Sequence, residues 1–168
     1  MIAETLVIFA LPALLAAAAG WDLASFTIPN FLQGLLLAAF LVFIAVAGLS
    51  WHAIGFHFLA GLIGLFIGFA LFALGYVGGG DAKLFAAVLL WFGFKDIVPY
   101  ALYASLFGGA LTLGLLALRN LPLPAIFARQ NWIVRLHDDK SGIPYGVALA
   151  LGAFWILPQS EIFHLAAV

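Results

Sequence analysis

Cysteine is absent from all 168 positions, which removes disulfides, zinc–thiolate sites and thiol nucleophiles together. Charge is scarce as well: Asp, Glu, Lys and Arg make up 8% of the chain, and none of them falls between Leu23 and Gly80. A water-soluble fold has no need of so long an uncharged stretch, whereas a chain that crosses a bilayer repeatedly does. The six basic residues form no stripe and the formal net charge is −1, so nothing calls for a nucleic-acid or acidic partner. Strict two-residue alternation is also missing, which argues against a β-barrel with a polar lumen. What remains is apolar. Hydrophobic residues make up 67% of the chain and the mean hydropathy is +1.24, far above a typical soluble domain. The expected fold class is all-α, a polytopic transmembrane helical bundle of about six spans. It is expected to form one domain over residues 1–168, embedded in the lipid bilayer.

The few charges and turn-formers divide the chain into six apolar pieces of roughly the length a bilayer demands. They run from Thr5 to Trp21, Phe31 to Ser50, Ala53 to Val77, Lys83 to Phe94, Ile97 to Leu118 and Ile143 to Leu157. The fourth is short for a crossing unless Asp81 and Ala82 begin the helix below the headgroups. The N-terminal stretch MIAETLVIFALPALLAAAAG has no basic flank and carries Glu4, so it reads as a retained first span rather than a cleaved signal. The one long polar connection, Arg119 to Gly142, holds four of the six basic residues and is expected in the cytoplasm. Counting spans back from it places the turns at Trp21–Asn30 and Val77–Asp81 on the same face. Within this loop Pro122 and Pro124 exclude a continuous helix, and Ile126–Leu136 suits a short interfacial segment.

Two acids at span ends stand out against this background: Asp22 closes the first span and Asp81 opens the fourth. Carboxylates are costly near hydrocarbon, so each is a functional candidate, the plain alternative being an acid wetted at the interface. Asp81 follows Gly78, Gly79 and Gly80, which weaken helix and leave a backbone free to take positive φ or to approach another chain closely. Asp22 is followed by Ile28, Pro29 and Asn30. There Pro29 keeps Ile28 extended, and Asn30 is placed to cap the next helix. Two aspartates on one face are the minimum equipment of an aspartic protease: one takes a proton from water, the other polarises the scissile carbonyl and protonates the leaving amine. Close together they would share a proton and titrate as a unit.

At these residues the chain resembles the prepilin leader peptidases, membrane aspartic proteases with a G-x-G-D signature. Gly78-Gly79-Gly80-Asp81 with Ala82-Lys83-Leu84, Asp22 with Ile28-Pro29-Asn30, and IPYGVALALG from Ile143 to Gly152 are similar to three family segments, in the same order. The resemblance implies that Asp22 and Asp81 are the catalytic pair. It also implies a type IV pilin-like precursor as substrate, cut at the cytoplasmic face of the bacterial inner membrane after a short basic leader usually ending in glycine. An apolar helix of the substrate would then lie in the bilayer beside the enzyme, and the pilus secretion machinery is an implied partner. Larger relatives carry paired cysteines and also methylate the new N-terminus. This chain lacks the cysteines, so peptidase activity alone is expected, as in compact forms serving Flp-type pili. The family's basic residues after the first aspartate have no counterpart in Leu23–Thr27.

Other residues have plainer readings. Lys83 can stabilise ionised Asp81, or snorkel to headgroups. Gly61, Gly64 and Gly68 are spaced for close helix packing. His52 and His57 lie on different helical faces and read as residues of the outer turn, and His137-Asp138-Asp139 reads as a solvated cluster. The five tryptophans mostly fall near span ends, as interface anchors do. Tyr145 can reach the aspartates or make a packing contact. No metal and no cofactor is called for. The sequence GYVGGGDAK lacks phosphate-loop spacing and sets an acid where phosphate would sit. A proton-coupled transporter and a non-catalytic pilus-assembly subunit remain competing readings of the same acids.

Overall fold

The computed structural model describes residues 1–166, and in them every regular element is helical. Eight helices follow in chain order: α1 Ile2–Ser25, α2 Asn30–Val46, α3 Trp51–Ala73, α4 Gly79–Phe92, α5 Ile97–Arg119, α6 Asn131–His137, α7 Tyr145–Ile156 and α8 Glu161–Ala166. Three segments, Ile2–Ser25, Trp51–Ala73 and Phe94–Arg119, are long and apolar enough to cross a membrane, with mean hydropathies of 2.1, 2.2 and 1.8. Asn30–Val46 and Tyr145–Gln159 are shorter apolar helices, and α4 is shorter still. The protein is a multi-pass membrane helical bundle.

Local chemistry sets the helix boundaries. Pro12 has no N–H to give back to the preceding turn, and just before it the helix widens so that the Leu11 N–H reaches the Leu6 carbonyl. Phe26 ends α1 in a left-handed conformation (φ 56°), its N–H bonded to the Asp22 carbonyl at 2.7 Å. Ser50 caps α3 by accepting from the Ala53 N–H. Gly93, at φ 79°, stops α4.

Helix α4 is the axis of the bundle. It packs along α3 on one side and reaches α2, α7 and α8 on others, so Leu84, Val88, Leu89 and Trp91 are fully buried. Lipid tails are as apolar as leucine, so close van der Waals approach and hydrogen bonds, rather than withdrawal from water, must hold such helices together. The small-residue spacing of α3 provides that approach. A Cβ on Gly68 would lie 2.9 Å from the Ala82 carbonyl oxygen, and Gly64 and Gly61 press on Leu89 and Leu90. The α5–α7 seam uses the same device, with Gly152 against the Ala104 backbone. Large apolar side chains such as Phe66, Val98 and Leu113 point outward, about three-quarters exposed, as a lipid-facing surface requires.

Several expectations are corrected. The first helix runs four residues past Trp21, so Asp22, read as closing the first span, lies within its last turn. Gly79 and Gly80 are helical, and the left-handed glycines are Gly48, Gly75 and Gly93, so the run before Asp81 does not use positive φ. Pro29 occupies the N-cap position of α2, and Asn30 is its first helical residue without a capping bond. Trp91 is no interface anchor: it is fully buried, donating Nε1–H to the Leu36 carbonyl at 3.0 Å between Phe40 and Phe43. His57 is also buried, its Nδ1 3.0 Å from the Leu90 carbonyl and its ring against Gly93. The interfacial segment forms helix only over α6, with turns before it.

Candidate active site

The last turn of α1 carries Asp22, and the left-handed Phe26 turns the chain back across the end of the bundle. Ile28 is thereby laid, buried, against the first turn of α4. The glycine at position 80 is what admits it: a Cβ there would meet Ile28 Cβ at 3.2 Å and the Ile28 backbone nitrogen at 3.3 Å. The loop is braced by Ser25 Oγ bonding the Trp21 carbonyl at 2.7 Å and meeting Thr27 Oγ1 at 2.8 Å. Gln33 of α2 donates to the Gly80 carbonyl at 3.3 Å, tying the start of α2 to the first turn of α4.

Asp81 is the third residue of α4. From there its Oδ2 accepts the N–H of Gly78, the N-cap residue, at 3.2 Å, as acids in a first helical turn commonly do. Capping does not account for the other oxygen. Asp81 Oδ1 is buried and has no hydrogen-bond partner among the described residues, although a buried polar atom normally finds one. Asp22 is buried more deeply, 3% exposed against 9% for Asp81. Its Oδ2 accepts the Gly146 N–H from the first turn of α7 at 2.7 Å.

The two carboxylates line a single cavity of about 260 Å³, together with Phe26, Thr27, Ile28 and the three glycines. It has room for a few waters or one peptide unit. Such an arrangement offers two adjacent carboxyl groups with pre-positioned oxygens, a pairing suited to moving protons on and off a bound peptide.

Of the residues singled out from sequence, Asp22, Asp81, Gly78, Gly79, Gly80 and Ile28 are brought together here. Pro29 only shapes the turn. Asn30 and Lys83 pair with each other, Lys83 Nζ donating to Asn30 Oδ1 at 2.8 Å. Lys83 therefore forms no ion pair with Asp81; the pairs among the described residues are the N-terminus with Glu4, and Lys95 with Glu161 at the opposite end of the bundle. Tyr145 lies beside Gly108, in a neighbouring groove that Asp81 also lines. Two contributors escaped the sequence reading. One is Gly146, whose lack of a side chain lets its N–H reach Asp22; its sequence signal is its place in the segment IPYGVALALG, a likeness that gave it no role. The other is Arg135 of α6, which donates to the Ser25 carbonyl and so brings a cation to a loop that has none of its own.

No curated protein and no solved structure gives a significant match. The profile of the type IV leader peptidase family, however, matches residues 9–113, more than half of the chain and including both aspartates. The chain therefore belongs to the type IV leader peptidase family.

Proposed function

We propose that this peptidase is an aspartic endopeptidase that removes the short basic leader from type IV pilin-like precursors, of the Flp type, with Asp22 and Asp81 as its catalytic pair. The observation that carries this reading is the convergence of two buried carboxylates on one cavity, with Asp81 Oδ1 free of any partner among the described residues. In the proposed reaction the ionised member of the pair takes a proton from water as its oxygen attacks the scissile carbonyl carbon. The protonated member hydrogen-bonds the carbonyl oxygen, which becomes the oxyanion of the tetrahedral intermediate. Collapse breaks the C–N bond, and a carboxyl proton passes to the departing amine, leaving a free carboxylate on the leader and a free N-terminus on the pilin.

Orientation follows from charge. Arg119, Arg129, Arg135 and Lys140 lie in the loop between α5 and α7, and Arg135 bonds the loop after Asp22, so this basic end and the acids share a face. The excess of basic residues supports a cytoplasmic position for that face, with the pilus secretion machinery downstream. The test is cleavage of a full-length type IV pilin precursor in liposomes by Asp22→Asn and Asp81→Asn proteins. Each substitution is expected to lower the rate about 10³-fold or more, and cleavage surviving both would refute the assignment.

A further inference from the structure

Asp81 lines two cavities, and only one of them is polar. On its other side lies a groove of about 300 Å³ between α3 and α5, floored by α4 and closed at its inner end by Tyr145 of α7. Ile67 and Gly68 form one wall, Ser105 and Gly108 the other. The groove exists because α3 packs on α4 while α5 packs on α7, so these two long spans stand apart in front of the acid.

We infer that this groove is a lateral docking site for the apolar helix of the substrate next to the scissile bond, and that the leader occupies the polar cavity on the opposite side of Asp81. This rests on the peptidase reading above. Three observations carry it. The groove is continuous with the candidate active site through Asp81 itself, so a chain lying in both would pass the carboxylate. Its walls belong to the segments Trp51–Ala73 and Phe94–Arg119, both candidate membrane spans, so its mouth opens on hydrocarbon. A polypeptide there must be apolar and must satisfy its own backbone groups, which means a helix. Finally, apart from Asp81, Ser105 and Tyr145 the lining carries no polar side chain, as an apolar occupant requires. Ser105 is bonded to its own helix at the Ala101 carbonyl and so asks nothing of an occupant.

The experiment uses a synthetic precursor with a basic, glycine-ended leader and one apolar segment of about twenty residues, reconstituted in liposomes with full-length Asp22→Asn protein. A photoreactive residue is placed at Ser105, at Ile67, or at Leu41 on the lipid-facing side of α2. Adducts from Ser105 and Ile67 to the first turns of the apolar segment are expected, with little from Leu41. Equal labelling at all three sites, or adducts to lipid acyl chains only, would overturn the inference. In the active protein Ser105→Trp should raise KM about tenfold with kcat within about twofold, while Leu41→Trp changes neither; an unchanged KM for Ser105→Trp would also overturn it. Crosslinking does not require cleavage, so the two readings fail separately. Groove adducts together with cleavage that survives both aspartate substitutions would sink the catalytic assignment alone. Inactive aspartate variants without groove adducts would sink the docking site alone.

Discussion

Replacing Gly146 by alanine tests the site more sharply than removing an acid does, because it leaves both carboxylates in place. The added Cβ would sit 2.8 Å from Asp22 Oδ2, 2.8 Å from Ile28 Cδ1 and 3.0 Å from Asp22 Cβ. Reaching ordinary contact requires the Asp22 carboxylate to retreat by about 0.6 Å. That movement stretches the 2.7 Å bond from the Gly146 N–H, a bond to a chargeable group of the kind worth about 1.5–3 kcal/mol. A misplacement of about 1 Å can cost about 10²-fold in rate, so the smaller shift plus a weakened bond should lower kcat/KM by at least about tenfold. Overpacking of this kind costs about 1–3 kcal/mol of stability, so the protein should still insert and fold. The assay is the initial rate of precursor cleavage in liposomes, with thermal unfolding followed in parallel. Gly109→Ala is the control, since nothing lies within 4 Å of a Cβ at that position; alanine there should leave the rate unchanged and stabilise α5 by up to about 1 kcal/mol. A Gly146→Ala protein that keeps more than half the parental rate would refute the claim that this backbone donor positions Asp22.

Two further outcomes are expected. Trp91→Phe removes the hydrogen bond to the Leu36 carbonyl and part of the contact with Phe40 and Phe43, at the end of the bundle away from the acids. It should cost about 1–3 kcal/mol in detergent unfolding with the cleavage rate within about twofold. Because the chain has no cysteine, single cysteines report topology cleanly: in intact cells an impermeant maleimide should leave Asp139→Cys unlabelled and label His52→Cys, and the reverse pattern would refute a cytoplasmic active site.

How far the sequence carried, and where it stopped, has a physical explanation. Helix class and approximate limits were legible because charges and turn-formers punctuate the chain, and a bilayer leaves few alternatives to helices once a stretch is this apolar. The acids were legible for the same reason, as rare exceptions beside Pro29 and the three glycines. Facing was not legible. Helices that are apolar all round carry no stripe to say which side meets a neighbour, so Trp91 and His57, both near helix ends, read as outer-turn residues although they are enclosed. The role of Gly146 was hidden for a related reason. Its partner Asp22 is 124 positions away, and only the packed bundle brings the start of α7 against the end of α1. The glycines before Asp81 were correctly read as permitting close approach, but the structure brings the chain's own Ile28 against Gly80.

That contact makes Ile28 a wedge between the first turns of α4 and α7, touched by Gly80 on one side and Gly146 on the other. A Cβ at Gly80 would lie 3.2 Å from Ile28 Cβ, tight enough to require a shift of a few tenths of an ångström. With either alanine alone, Ile28 can yield toward the opposite glycine. With both, it is pressed from two sides, and the strain must pass into the Asp22 loop. Gly80→Ala and Gly146→Ala should therefore combine worse than additively, with a coupling of about 0.5–3 kcal/mol in stability and a matching excess loss of cleavage. Distant, independent sites add to within about 0.5 kcal/mol. If the double variant does the same, Ile28 is not the element that couples the two acid-bearing segments, and the loop after Asp22 must be held by its own hydrogen bonds instead.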